Sequence, residues 1–199
     1  MKITVNSEEF KAWHEVGHAT VCLHLGGDVE SIEFLERDAR GFAVAHCCDV
    51  MPEMERSVAC GGFAAEFYLL NGGYADWSDK QKISAIVFSN AWSDRVDFAG
   101  RVVTQENDLK QDEDKEFMRH ATEVVAPIFD LYFSRMQNVV SELLVARKMN
   151  GARVKELLQR HPLDPLLDLL AHRVVGVDLG LLGKVADVQA RHRSGFALD

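Results

Sequence analysis

Residues 14–18, His-Glu-Val-Gly-His, lie within a segment whose apolar residues recur at helical spacing. The segment is preceded by Asn6 and Glu9 in a capping-box-like arrangement and is followed by Gly26-Gly27. The pattern therefore predicts one helix from Asn6 or Ser7 to Leu25. Residues four positions apart lie on the same face of a helix, so His14 and His18 are expected side by side, next to its apolar stripe.

Two neighbouring imidazoles on a partly buried face need a common partner, and a metal ion can be that partner. In the H-E-x-x-H spacing, both histidines can bind a single Zn²⁺. Glu15 is then free to act as the general base that takes a proton from a zinc-bound water and later passes it to the leaving amine. A helix that carries these residues by chance is the alternative; the helical context favours the zinc interpretation.

Composition narrows the possible partners. The 199 residues suffice for one large domain, or for a domain with a small appendage. With 47% hydrophobic and 27% charged residues the chain is typical of globular proteins. A net charge of −9 argues against nucleic acid or an anionic membrane as the main partner, because both select basic surfaces.

The sequence also predicts the compartment. Its first residues lack the apolar core of a signal peptide, and no run approaches the roughly eighteen apolar residues of a membrane helix, so membrane insertion is not expected. The four cysteines form no C-x-x-C pair and no disulfide-like framework. We therefore expect a cytoplasmic protein with reduced thiols.

The remaining pattern predicts a mainly α (α+β) fold with a small β-hairpin beside the first helix. Strands are expected at residues 29–35 and 42–48, and helices at 52–70, at about 77–92, at 107–121, after Pro127 and at 151–160. The charged run at 112–116 is typical of a solvated helix face. Pro162 and Pro165 mark a boundary, which divides the chain into a domain at 1–160 and a short helical extension at 161–199.

Three motifs occur in the order of a known family. They are His14-Glu15-Val16-Gly17-His18-Ala19, then Gly61-Gly62-Phe63-Ala64-Ala65-Glu66 after the strand pair, then Glu106-Asn107-Asp108-Leu109-Lys110. Together they resemble the peptidase domain of the FtsH-type ATP-dependent zinc metalloproteases, over residues 10–158. The resemblance implies a helical, zincin-like metallopeptidase domain whose third zinc ligand is Asp108. Departures from the family pattern are Val16, Phe63 and an extra stretch at 74–97.

Other third ligands are chemically possible. Glu66 is on a later helix, where many H-E-x-x-H proteases keep a glutamate ligand. His24, His46 and His120 have suitable chemistry without matching spacing. The residue match favours Asp108 over these alternatives.

The expected activity is that of a zinc metalloendopeptidase acting on peptides or unfolded proteins. Its relatives unfold their substrates with an attached, membrane-anchored ATPase. Gly183-Lys184, the only Gly-Lys pair, lacks the spacing of a phosphate-binding loop, so an ATPase would have to act in trans. Two alternatives are a catalytically degenerate fold that acts as a binding or regulatory module, and a structural zinc site. The sequence does not fix the oligomeric state.

Overall fold

The computed structural model describes residues 2–35, 42–48, 50–76, 78–105 and 108–159, with the backbone alone for residues 42–48, 80 and 81. The chain divides into two units, Met1–Gln159 and Arg160–Asp199. The predicted extension at 161–199 and the hairpin connection at 37–41 lie outside the described residues, as do Trp77, Glu106 and Asn107.

The first helix, α1 (Glu8–His24), forms as predicted, to within two residues at its start. The Ser7 hydroxyl accepts a hydrogen bond from the Phe10 amide, at 3.2 Å, and so caps the first turn. Two glutamates in that turn complement the positive end of the helix dipole. The helix ends before Gly26, whose φ of 88° takes the chain out of the helical conformation.

A three-stranded antiparallel sheet covers one side of α1. Strand β1 (Asp28–Leu35) lies in the middle, between β2 (Phe42–Cys48) and β3 (Lys148–Asn150). The predicted hairpin of β1 and β2 is confirmed, with a register shift between Val29 and Ser31. The short third strand was not predicted; it follows directly after a long helix and pairs only three residues with β1.

Helices make up most of the described chain. They are α2 (Pro52–Ala59), α3 (Gly61–Asn71), α4 (Lys80–Asn90), α5 (Trp92–Ala99), α6 (Gln111–His120), α7 (Phe133–Ala146) and α8 (Gly151–Leu158). A π-helical turn (Ala121–Val125) and a 3₁₀ turn (Ala126–Leu131) join α6 to α7. The fold is mainly α with a small antiparallel sheet, as predicted.

One predicted helix is split in the structure, and one observed helix was not predicted. The helix expected at 52–70 breaks at Cys60, directly before the glycine pair Gly61-Gly62 that opens α3. The helix expected at about 77–92 forms as α4, whereas α5, which follows it after Ala91, was not predicted.

The glycine pair Gly61-Gly62 brings α1 and α3 into close contact. A Cβ on Gly61 would lie 2.7 Å from the His18 Cα, and a Cβ on Gly17 would overlap the Gly61 carbonyl oxygen. Side chains of α7 complete the core on the other side of α1, where the Trp13 and Phe133 rings stack with centroids 5.3 Å apart. None of the helices in the described part of the chain combines the length and apolar character that a bilayer span requires.

Candidate metal centre

His14 and His18 face the same point from adjacent turns of α1. Their Nε2 atoms are 3.3 Å apart, and the ring centroids are separated by 5.0 Å in an edge-on arrangement. The His14 ring lies against the backbone of Gly62 on α3, where a Cβ would overlap it. The absence of a side chain at Gly62 therefore makes room for the imidazole.

Each imidazole has a partner for its other ring nitrogen. The His14 Nδ1 lies 3.1 Å from Glu66 Oε1, and the His18 Nδ1 lies 2.8 Å from the carbonyl oxygen of Val58. Carboxylate and carbonyl oxygens accept hydrogen bonds, so both Nδ1 atoms act as donors. In neutral rings, this leaves the lone pairs of both Nε2 atoms directed at the space between them, as in histidine metal ligands.

Asp94, on the first turn of α5, completes this group. Its Oδ1 lies 3.4 Å from the His18 Nε2, and its Oδ2 lies 3.4 Å from the His14 Nε2. The residue is only 5% exposed, and within the described chain Oδ2 makes no hydrogen bond. A buried carboxylate oxygen without such a bond is costly unless a cation or proton neutralises it.

The three side chains are close enough to share one metal ion. The two Nε2 atoms are 3.3 Å apart, and each lies 3.4 Å from a different oxygen of Asp94, so the carboxylate faces both imidazoles. One ligand atom from each of the three residues lies within 4.8 Å of the other two. Two neutral imidazoles and one carboxylate are also a donor set typical of zinc, and they leave one tetrahedral position open. His14, His18 and Asp94 could therefore hold a Zn²⁺ ion.

The electrostatics of the group favour a positive charge at its centre. Burial alone would lower the pKa of His14 and of His18, but the Asp94 carboxylate outweighs burial and raises both, assisted at His14 by Glu66. Burial would raise the pKa of Asp94, yet the two imidazoles hold it well below its ordinary value. Burial raises the pKa of Glu66, since its bonds to His14 and Asn90 only partly offset desolvation.

Glu15 follows His14 in the sequence and is not one of the three donors. Its side chain is half-buried, and its negative charge helps to raise the pKa of His18.

Asp108, the third ligand that the resemblance implied, is not part of the group of His14, His18 and Asp94 in the described chain. Asp108 is exposed in the loop before α6, where its Oδ2 accepts hydrogen bonds from the Thr104 hydroxyl and the Gln105 amide, both at 3.0 Å. These bonds lower its pKa. The Asp108 carboxylate therefore closes a turn, whereas the Asp94 carboxylate lies beside the two histidines.

The other candidate ligands that the structure describes have other hydrogen-bond partners. Glu66 contacts the site through the Nδ1 of His14, so it orients a ligand instead of facing the shared centre. His24 pairs with the Tyr132 hydroxyl at 3.2 Å, and His120 pairs with Ser57 at 2.8 Å. The side chain of His46 lies outside the described part.

Asp94 was missed because it belongs to the stretch at 74–97, which has no counterpart in the family pattern. A signal was nevertheless present in the sequence. Asp94 follows Ala91 by three positions and precedes Phe98 by four, so all three lie on one face of a helix, and all three are buried. A carboxylate on an apolar stripe requires a partner, and a pair of histidines elsewhere in the chain is a suitable one.

Comparison with known proteins leaves the site to be interpreted from its own geometry. No protein-family model and no curated protein matches the sequence.

Proposed function

We propose that this protein is a zinc-dependent metallopeptidase in which His14, His18 and Asp94 hold the metal. The observation that carries the proposal is the grouping of two imidazoles and one buried carboxylate, with a ligand atom of each within 4.8 Å of the other two and with both Nδ1 atoms engaged by other partners. Two imidazoles and one carboxylate leave an open position, which is typical of catalytic zinc sites and not of structural ones.

The residues around the site have separate roles in this proposal. Glu15 is the general base and later the acid, because it is the carboxylate next to the ligand pair in the H-E-x-x-H motif. Glu66 and the Val58 carbonyl orient the two imidazoles. Bound zinc would supply a water with a pKa of about 7 and would polarise the carbonyl of the scissile bond.

The sheet supports a peptide as the substrate. In the order β2-β1-β3, strand β2 pairs with β1 on one side and is an edge strand within the described chain, and β2 also contacts α1. An extended peptide can add to such an edge through main-chain hydrogen bonds. The substrates that fit are peptides or unfolded segments, consistent with the FtsH-like motifs; folded proteins would first have to be unfolded.

Two measurements test the proposal. Protein purified without added metal or chelator should contain about one zinc per chain by elemental analysis. Glu15→Gln should retain zinc and lower the hydrolysis of a dye-labelled unfolded protein by about 10²- to 10⁴-fold, the range expected for loss of a general base. Glu9→Gln, which changes another half-buried glutamate of the same helix, is the matched control and should leave the rate unchanged.

Two results would contradict the proposal. If the chain neither contains nor takes up zinc, it is not a zinc enzyme. That result would favour the alternative of a peptidase-like binding module. If Glu15→Gln hydrolysed the unfolded protein at the wild-type rate, the role assigned to Glu15 would be incorrect.

A further inference from the structure

Arg95, the residue after Asp94, is a buried cation with a well-defined set of contacts. It is 3% exposed, and its guanidinium donates two hydrogen bonds to Asp114 on α6, from Nε to Oδ1 and from Nη2 to Oδ2, both 2.9 Å long. The guanidinium also lies over the Phe88 ring of α4, 3.9 Å from its centroid. Arg95 thus connects α5 with the helices before and after it.

Helix α5 needs such connections, because it is short. It has eight residues, and its N-cap residue, Ala91, makes no side-chain hydrogen bond that would cap it. A helix of this length is not stable by itself, so its position is set by tertiary contacts. The bidentate pair of a planar guanidinium and a carboxylate is directional, and it fixes both the distance and the rotation of the two helices.

Rotation of α5 matters for the metal centre because Asp94 is the only residue of that helix among the three donors. A small rotation or shift of α5 would move its carboxylate away from one or both histidines. Arg95 and Asp94 are adjacent in sequence and point to different sides of the helix, one to α6 and the other to α1.

We propose that Arg95 and Asp114 are positioning residues of the metal centre, which hold the Asp94 carboxylate at the distance that zinc requires. This inference rests on the proposed zinc site. Neither residue is a ligand or a catalytic residue; both act through the placement of α5.

A second arginine pair provides a matched control. Arg101 binds Glu113 through two hydrogen bonds, 2.8 and 2.6 Å long, and so joins the segment after α5 to the same helix α6. The Arg101 side chain is 36% exposed, against 3% for that of Arg95. The two pairs have the same chemistry and neighbouring attachment points, but only the Arg95–Asp114 pair holds the helix that carries Asp94.

The test compares Asp114→Asn with Glu113→Gln in the full-length protein. The zinc dissociation constant is measured by competition with a chromophoric chelator, and the visible spectrum is recorded after substitution with Co²⁺. Asp114→Asn should weaken zinc binding about tenfold, the lower end of the range for groups that support a metal ligand indirectly. It should also shift the Co²⁺ bands, whereas Glu113→Gln should change neither.

A double-mutant cycle separates positioning from general destabilisation. In an Asp94→Ala background, Asp114→Asn should have no further effect on the zinc dissociation constant, because the ligand that it positions is gone. The paired change Arg95→Met with Asp114→Leu removes the ion pair without leaving a buried charge, so it preserves folding. It should weaken zinc binding in the same way as Asp114→Asn.

Specific outcomes overturn this inference alone. They are a wild-type zinc affinity in Asp114→Asn, or a loss of equal size with and without Asp94. A wild-type protein that takes up no zinc would instead contradict the proposed function itself.

Discussion

Asp94 and Asp108 differ in what their carboxylates contact, and this difference predicts opposite effects of removing them. Asp94→Ala should weaken zinc binding by more than about a hundredfold, since loss of a direct ligand exceeds the 10- to 100-fold loss seen for supporting groups. Asp108→Ala opens an exposed turn and should leave zinc affinity unchanged. Chelator competition on the two variants measures both effects.

The contrary result is also well defined. If Asp108→Ala lost the metal and Asp94→Ala kept it, Asp94 would not be the third ligand.

The relative positions of the site residues that are close in sequence could be predicted, but the position of the distant Asp94 could not. His14, Glu15 and His18 share one helix, so their spacing alone fixes their relative positions. Asp94 reaches them from a helix far along the chain, and its place depends on how α3, α4 and α5 pack. Similarity of short motifs favoured Asp108, whose hydrogen bonds with Thr104 and Gln105 are local and therefore independent of the site.

At the scale of elements, the contact between α1 and α3 uses two glycines for different purposes. A methyl group on Gly62 would overlap the His14 imidazole, which is a side chain that can move. A methyl group on Gly17 would overlap the Gly61 carbonyl oxygen and would lie 2.7 Å from the Ala65 Cβ, so helix backbones would have to separate. Gly62 is thus important for the metal centre and Gly17 for the fold.

These two positions make a paired prediction. Gly62→Ala should displace His14 and lower zinc affinity, while the metal-free protein stays folded, because alanine favours helix by up to about 1 kcal/mol over glycine. Gly17→Ala should destabilise the metal-free protein by about 1–3 kcal/mol or more through overpacking. Urea unfolding of the metal-free variants and zinc titration distinguish the two effects, and a Gly62→Ala variant with wild-type zinc affinity would refute this division.

Local signals predicted the element boundaries best where a cap or a glycine marks them. Ser7 and Gly26 bound α1 closely, whereas the glycine pair that follows Cys60 was assigned to the interior of one helix and in fact opens α3. The surroundings of the charged run at 112–116 could also be predicted only in part. Asp112 and Lys115 are exposed, as predicted. Asp114 and Glu113, however, bind arginines that precede α6. The periodicity of one helix does not reveal partners that lie outside that helix.

For the whole molecule, the proposed zinc ion and protons would compete for the same histidines, so metal binding should couple stability to pH. In the metal-free protein the pKa values of His14 and His18 are raised above the ordinary 6.5. The folded state then binds more protons than the unfolded state, and this stabilisation, complete below about pH 6.5, is lost as pH rises through the raised values. Zinc binding requires neutral imidazoles, so its stabilisation has the opposite trend.

The increase in melting temperature caused by zinc should therefore be small at pH 6 and larger at pH 8. At a free zinc concentration of about 100 times the dissociation constant, the stabilisation is roughly 2.7 kcal/mol. Calorimetry at a fixed free zinc concentration across this range measures the trend. If the zinc-induced increase in melting temperature were the same at pH 6 and at pH 8, protons would not compete with zinc for the histidines.

The proposed zinc site would also form in a definite order during synthesis. The two histidines are together as soon as α1 forms, but Asp94 follows His18 by roughly 75 residues and reaches it only after α3, α4 and α5 have docked. A nascent chain would offer zinc two nitrogen ligands early and the carboxylate late. The affinity of the nascent chain for zinc would therefore become high only after the first hundred residues have reached their native arrangement.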